Sequence, residues 1–155
     1  MDFEEAFALV LSVEGGYVNN PNDPGGKTKF GISQQAFPDV DIENLTINDA
    51  KAIYEKEFWD RCRCAELPDP LSLFVFDAAV HMGTFQAALL LQQTLRVKED
   101  GIIGAHTMAA AKQGDPAEIS ARFLGRRALA LAAMPTFASF GHGWMNRLFT
   151  LALAV

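Results

Sequence analysis

Apolar residues recur at helical spacing from the first turn of the chain. Phe3, Phe7, Val10 and Glu14 follow i, i+4, i+7 and i+11, with Ala6 and Val13 beside them. That pattern predicts a helix over residues 2–14, stopped by Gly15 and Gly16. Residues 17–31 lose the period. Asn19, Asn20, Pro21, Asn22, Asp23, Pro24, Gly25 and Gly26 supply nearly every turn-forming residue, so a shaped hairpin or loop is expected there. Thr46 with Asp49 resembles a capping box and opens a helix to about Trp59, with Ala50, Ile53, Tyr54 and Phe58 facing inward. Asp69-Pro70 reads as the N-cap and first residue of a helix ending near Gly83. Further helices are expected over 84–96, over 105–113, from Asp115-Pro116 to about Met134, and from about Gly143 to Leu153. No alternation of apolar and polar residues supports a large sheet, and no repeat or linker interrupts the pattern. The expected fold class is mainly α, a single domain with a short β-hairpin or loop after the first helix.

Composition narrows the field. Of 155 residues half are hydrophobic and 21% charged, enough to bury one core without a staple. Cys62 and Cys64 are separated by one residue, too close for an ordinary disulfide framework and too few for a zinc site, so reduced structural thiols are expected. The start Met-Asp-Phe-Glu-Glu has neither the positive region nor the cleavage site of a signal peptide. The longest apolar runs fall far short of the roughly 20 residues that cross a bilayer. Synthesis in the cytoplasm without membrane insertion is therefore expected. The net charge of −6, with no basic cluster beyond Arg126–Arg127, fits poorly with nucleic-acid binding.

Glu14 is the informative residue. It sits on the apolar face of its helix, at the helix end, beside a loop rich in polar groups. Desolvation and the negative end of a helix both disfavour a charged carboxylate, which suits a group that protonates a leaving oxygen. The plainer reading is a surface glutamate that merely ends a helix. Asp23 and Thr28 follow within the structured loop, and a folded-back hairpin could bring Asp23 opposite Glu14. Glycoside hydrolysis with inversion needs two carboxyl groups roughly 6.5–9.5 Å apart, with a water between them. Asp23 serves equally well as a turn residue that accepts backbone hydrogen bonds.

The run from Glu14-Gly15-Gly16-Tyr17 through Asn19-Asn20-Pro21-Asn22-Asp23-Pro24-Gly25-Gly26 to Thr28-Lys29-Phe30-Gly31-Ile32-Ser33 closely resembles the glycoside hydrolase family 108 N-acetylmuramidases, lysozyme-like domains of phage endolysins and related bacterial proteins. The resemblance implies a lysozyme-like fold with Glu14 as the catalytic acid. The Glu/Asp/Thr spacing is also similar to that of phage-type lysozymes, which implies that Asp23 and Thr28 position the attacking water. The second half resembles the peptidoglycan-binding region that accompanies this domain. The matching residues are Phe76-Asp77-Ala78-Ala79-Val80-His81-Met82-Gly83, Leu91-Gln92-Gln93, Asp100-Gly101-Ile102-Ile103-Gly104 with Thr107, and Gly143-Trp144-Met145-Asn146-Arg147. A catalytic region over 1–65 and a helical, peptidoglycan-binding-like region over 66–155 are expected to pack as one unit. His81 stands where the family pattern leads one to expect Asn.

Aromatic rings suit sugar faces, so Tyr17, Phe30, Tyr54 and Trp59 are candidate groove walls. For Phe30, Tyr54 and Trp59 core packing serves as well. Asp77 and His81 lie four apart on an apolar helix face, where an internal hydrogen bond would satisfy both. His81 reads equally as groove lining and as structure. Arg147 with Trp144 reads as an anchor for the last helix. The expected reaction is hydrolysis of the β-1,4 bond between N-acetylmuramic acid and N-acetylglucosamine, with no metal or organic cofactor. The expected partner is the peptidoglycan glycan strand, met in the cell wall or periplasm by a monomer that a holin or secretion machine delivers. Two rivals stand beside it. A lytic transglycosylase would use Glu14 alone, and a non-catalytic wall-binding or scaffold module would suit the acidic charge.

Overall fold

The computed structural model describes residues 1–14 and 27–155. Helix α1 spans Phe3–Val13, one residue inside the expected boundary at each end. Asp2 caps it, accepting from the Glu5 amide while the Glu5 carboxylate accepts from the Asp2 amide. Two short strands follow, β1 (Thr28–Lys29) and β2 (Ile32–Ser33), paired antiparallel with Thr28 opposite Ser33. They form the hairpin expected after the first helix.

Helix α2 (Ile47–Tyr54) starts at the Thr46–Asp49 capping box and widens into a π-helical stretch, Glu55–Asp60. The core grows around its aromatic residues. Phe3, Phe7, Tyr54, Trp59 and Phe76 meet in a chain of tilted and edge-on ring contacts with centroids 5.3–6.2 Å apart. Cys62 and Cys64 are free thiols buried beside this cluster, and burial, then its neighbour Cys62, pushes the Cys64 thiol well up. Cys64 therefore stays in the inert protonated form.

Helix α3 (Leu71–Met82) is the central rod, with every residue from Leu71 to Ala79 buried. It packs against α4 (Thr84–Leu95) and α6 (Pro116–Ala132). The start of α3 differs from the sequence expectation. Pro70 occupies the cap position after a cis peptide bond, and Asp69 accepts from the Ser72 hydroxyl and the chain's amino terminus instead of capping the helix. Helix α5 (Ala105–Gln113) matches its expected bounds, and Asp115 caps α6 through the Ala117 amide as expected.

The turn between α4 and α5 hangs on one buried side chain. Gln92 Oε1 accepts from the amides of Asp100 and Gly101, while its Nε2 approaches Asp100 Oδ1, the Ile102 carbonyl and Thr107 Oγ1.

The last helix, α7 (Phe137–Ala152), starts six residues earlier than expected. Gly141 and Gly143 both lie inside the helix. Gly141 is buried because the Phe137 ring covers it, leaving a Cβ there only 2.6 Å from ring carbon. Helix α7 packs against α6 and returns to α1, so the end of the chain rests beside its beginning.

Candidate active site

Glu14 closes α1. Its amide still bonds the carbonyls of Val10 and Leu11, but its own backbone is extended (φ −79°, ψ 147°), and the chain leaves the helix at this residue. The carboxylate lies against the hairpin. Its Oε2 is 2.9 Å from the point that a Cβ on Gly31 would occupy, and the Tyr54 hydroxyl crowds the same point. Gly31 has φ +75°, a left-handed conformation that suits glycine, so sterics and backbone both select a residue without a side chain. Tyr54 Oη donates to the Phe30 carbonyl at 2.8 Å and ties the hairpin turn to α2. Burial, then the charge of Glu14, raises the pKa of the Tyr54 hydroxyl above its ordinary value, against the opposing pull of Arg147. Tyr54 is thus a neutral donor.

The second oxygen of Glu14 belongs to a buried ionic chain. Arg147 Nη1 lies 2.6 Å from Glu14 Oε1, and Arg147 Nε donates to Asp77 Oδ1 at 2.8 Å. From the other side Arg127 Nη1 donates to Asp77 Oδ2 at 2.5 Å, and Arg127 Nη2 donates to His81 Nδ1 at 3.2 Å. Asp77 and Arg127 have no exposed surface, while the side chains of Arg147 and Glu14 keep 9% and 15%. Two carboxylates and two guanidiniums balance, which is what allows four charges to sit out of water. Burial alone would raise the Asp77 carboxyl. Arg127 and Arg147 outweigh it and hold that carboxyl below the usual range. His81 is lowered to about 4 by burial, then by Arg147 and Arg127, with Asp77 opposing. Because arginine only donates, His81 Nδ1 is the acceptor and the ring proton sits on Nε2.

Several sequence expectations meet this geometry directly. Glu14 was expected as a carboxyl among apolar side chains, and it is instead paired with a guanidinium from the far end of the chain. Thr28, half-buried, opens β1 on the same hairpin whose turn touches Glu14. Phe30 is half-buried at that turn with φ 52° and packs on the core. Tyr54 and Trp59 are corrections: both rings are buried, at 0% and 3% exposure, and neither presents a face to a groove. They are core residues, and Tyr54 acts on the site only through the Phe30 carbonyl. Tyr17 and Asp23 lie outside the described residues. Asp77 is satisfied by Arg127 and Arg147, not by His81.

The sequence reading overlooked Gly31 and Arg127, and gave Arg147 only an anchoring role. One signal was available. Asp77 stands alone in the apolar run Leu71–Ala79, and Arg147 is the one Lys, Arg, Asp or Glu between Phe137 and Val155. Isolated charges in apolar stretches must find each other or face water.

Comparison with known proteins accounts for most of the chain. The glycosyl hydrolase 108 family model matches residues 7–83, and a predicted peptidoglycan domain matches residues 86–149. The solved structure of Brucella abortus SagA is similar, with 34% identity and a TM-score of 0.89 over 98% of this chain and 94% of that one. No curated protein matches. The Glu14 carboxylate stands near the start of the first matched segment, and Arg147, which holds it, comes from the second. With both segments matched and a whole-chain relative beside them, the chain belongs to the glycosyl hydrolase 108 family and is a glycoside hydrolase acting on peptidoglycan.

Proposed function

We propose that this protein is an N-acetylmuramidase, hydrolysing the β-1,4 bond between N-acetylmuramic acid and N-acetylglucosamine, with Glu14 as the proton donor. The carrying observation is the division of labour between the two oxygens of Glu14. Oε1 is fixed by Arg147, while Oε2 faces the exposed hairpin turn at Gly31, beside the Tyr54 hydroxyl. A fixed carboxyl beside an open strip of backbone is what general acid catalysis on a polymer requires. Asp23 and Thr28 take the role of holding the attacking water, Thr28 from its place on β1. Among the candidate sugar contacts, Tyr17, Phe30 and His81 remain with the groove. The place of action is the cell wall, reached by a delivery partner such as a holin or a secretion machine.

The test is loss of turbidity of purified peptidoglycan with wild type and Glu14→Gln, followed by mass spectrometry of the soluble fragments. Clearing by wild type alone, with hydrated reducing muramic-acid ends, is the expected result. Anhydro ends would assign a lytic transglycosylase instead. Failure of both proteins to clear the wall while both pellet with it would leave a binding module. An NMR time course of the first anomer released reports inversion or retention.

A further inference from the structure

Helix α7 carries an aromatic group beside the ionic chain that catalysis leaves unused. Trp144 stacks on Phe140 with centroids 6.0 Å apart and an interplanar angle of 28°, and it tilts against Phe137 at 6.2 Å. The His81 imidazole meets the Trp144 ring edge-on at 5.8 Å. Phe140 is 58% exposed, Trp144 and His81 are half-buried, and so the stack stands open to water. Exposed rings are ordinary when scattered, but a contiguous group calls for a ligand or a partner. Its position supplies the ligand. Trp144 and Arg147 are three residues apart on α7, neighbours on one helix face. Arg147 holds Glu14. The rings therefore begin just under one helical turn from the residue that grips the acid, roughly 4.5 Å along the helix. That step is comparable with one sugar ring.

The polar part of the group is equally defined. His81 Nδ1 is occupied by Arg127, so Nε2–H is left as a donor on a ring whose orientation is locked through Arg127 to Asp77. An apolar platform bordered by one oriented N–H donor matches an N-acetylated pyranose, which has a C–H face for the ring and an acetamido carbonyl for the donor. A glycan strand running past Glu14 offers such rings in series.

We propose that Trp144 and Phe140, bordered by His81, form a sugar subsite next to Glu14 that holds an N-acetylhexosamine ring of the glycan strand. Trp144 supplies the stacking face, Phe140 extends it, and His81 selects the acetamido group. The subsite rests on the reading of Glu14 as the cutting residue for its place along the strand, but its binding can be read without catalysis.

The experiment uses the full chain carrying Glu14→Gln, titrated with tri-N-acetylchitotriose while tryptophan fluorescence is followed. Trp59 is buried, so Trp144 is the reporter open to solvent. Saturable binding with a fluorescence change is expected, weakened about tenfold by Phe140→Ser and, for the chains that lack Trp144 and are read by isothermal titration calorimetry, about tenfold by Trp144→Ala through lost ring burial. Trp144→Phe should keep most of the affinity, and His81→Phe should weaken it about threefold to tenfold. Phe140 is exposed enough that its substitution leaves folding intact, and circular dichroism checks each variant. Binding that ignores Phe140 and Trp144, or no binding at millimolar sugar, overturns the subsite. Steady-state kinetics separates this failure from failure of the muramidase reading. With otherwise native chains, the subsite predicts that Trp144→Ala raises KM far more than it lowers kcat. Cutting with unchanged KM refutes the subsite alone. Sugar binding on these rings by a chain that never cuts refutes the muramidase reading alone.

Discussion

Replacing Asp77 with Asn tests the whole account of the site. The substitution keeps the shape of the side chain and removes its charge, leaving two guanidiniums, one with no exposure and one with 9%, facing each other over a neutral amide. Breaking a buried ion pair by removing one partner typically costs about 3–5 kcal/mol, because the survivor stays buried and uncompensated. A domain of this size has a net stability of about 5–15 kcal/mol, so the loss is a large share of the total. At about 2–4 °C per kcal/mol for a chain of this length, thermal unfolding followed by circular dichroism should shift down by roughly 10 °C. Peptidoglycan clearing should fall with it even at temperatures where the variant is folded, since Arg147 loses the partner that aims it at Glu14. The comparison variant is Glu118→Gln, which removes an exposed pair with Arg122 whose side chains are 64% and 45% exposed. That pair is worth at most about 1 kcal/mol. An Asp77→Asn shift no larger than that of Glu118→Gln would refute the claim that a balanced ionic chain supports the site.

Three further outcomes are expected. Gly31→Ala forces a side chain into a left-handed backbone and against Glu14 Oε2 and the Tyr54 hydroxyl, so it should lose about 1–3 kcal/mol and most of the activity, as urea unfolding and turbidity assays would show. His81 is lowered from its ordinary 6.5 to about 4, so folding is hindered when it charges. Its contribution is present in full above about pH 6.5 and is lost as pH falls toward 4, by up to about 3 kcal/mol, and urea titrations across that range should lose this slope in His81→Asn. Gln92→Leu strands the Asp100 and Gly101 amides beside a buried apolar group and should destabilise by about 2–4 kcal/mol, with amide exchange rising first over residues 99–104.

What was legible in the sequence was local. The boundaries of α1, α5 and α6 follow within two residues from local periodicity and turn signals, and Thr46 and Asp115 cap where such signals put them. Glu14 stood out because it interrupts an apolar face. The partners of Glu14 did not, since Arg147 reaches it across nearly the whole chain and Arg127 reaches Asp77 across fifty residues. Pairing over that distance is set by how α6 and α7 pack, and no short window contains it. The same cause explains Tyr54 and Trp59. The sequence placed both on one helix but did not show that Phe3 and Phe76 would close over them. The early start of α7 was hidden by Gly141, whose helical place depends on the Phe137 ring above it.

The ionic chain also sets a schedule. Synthesis brings Glu14 out of the ribosome before α6 and Arg147 only after it, so the nascent chain for a time carries a Glu14 carboxylate with no clamp. Helix α6 brings Arg127 to Asp77, but α7 must dock before Glu14 is held. If Glu14 is the proton donor proposed above, a chain that stops before α7 lacks the Arg147 clamp and is expected not to clear peptidoglycan.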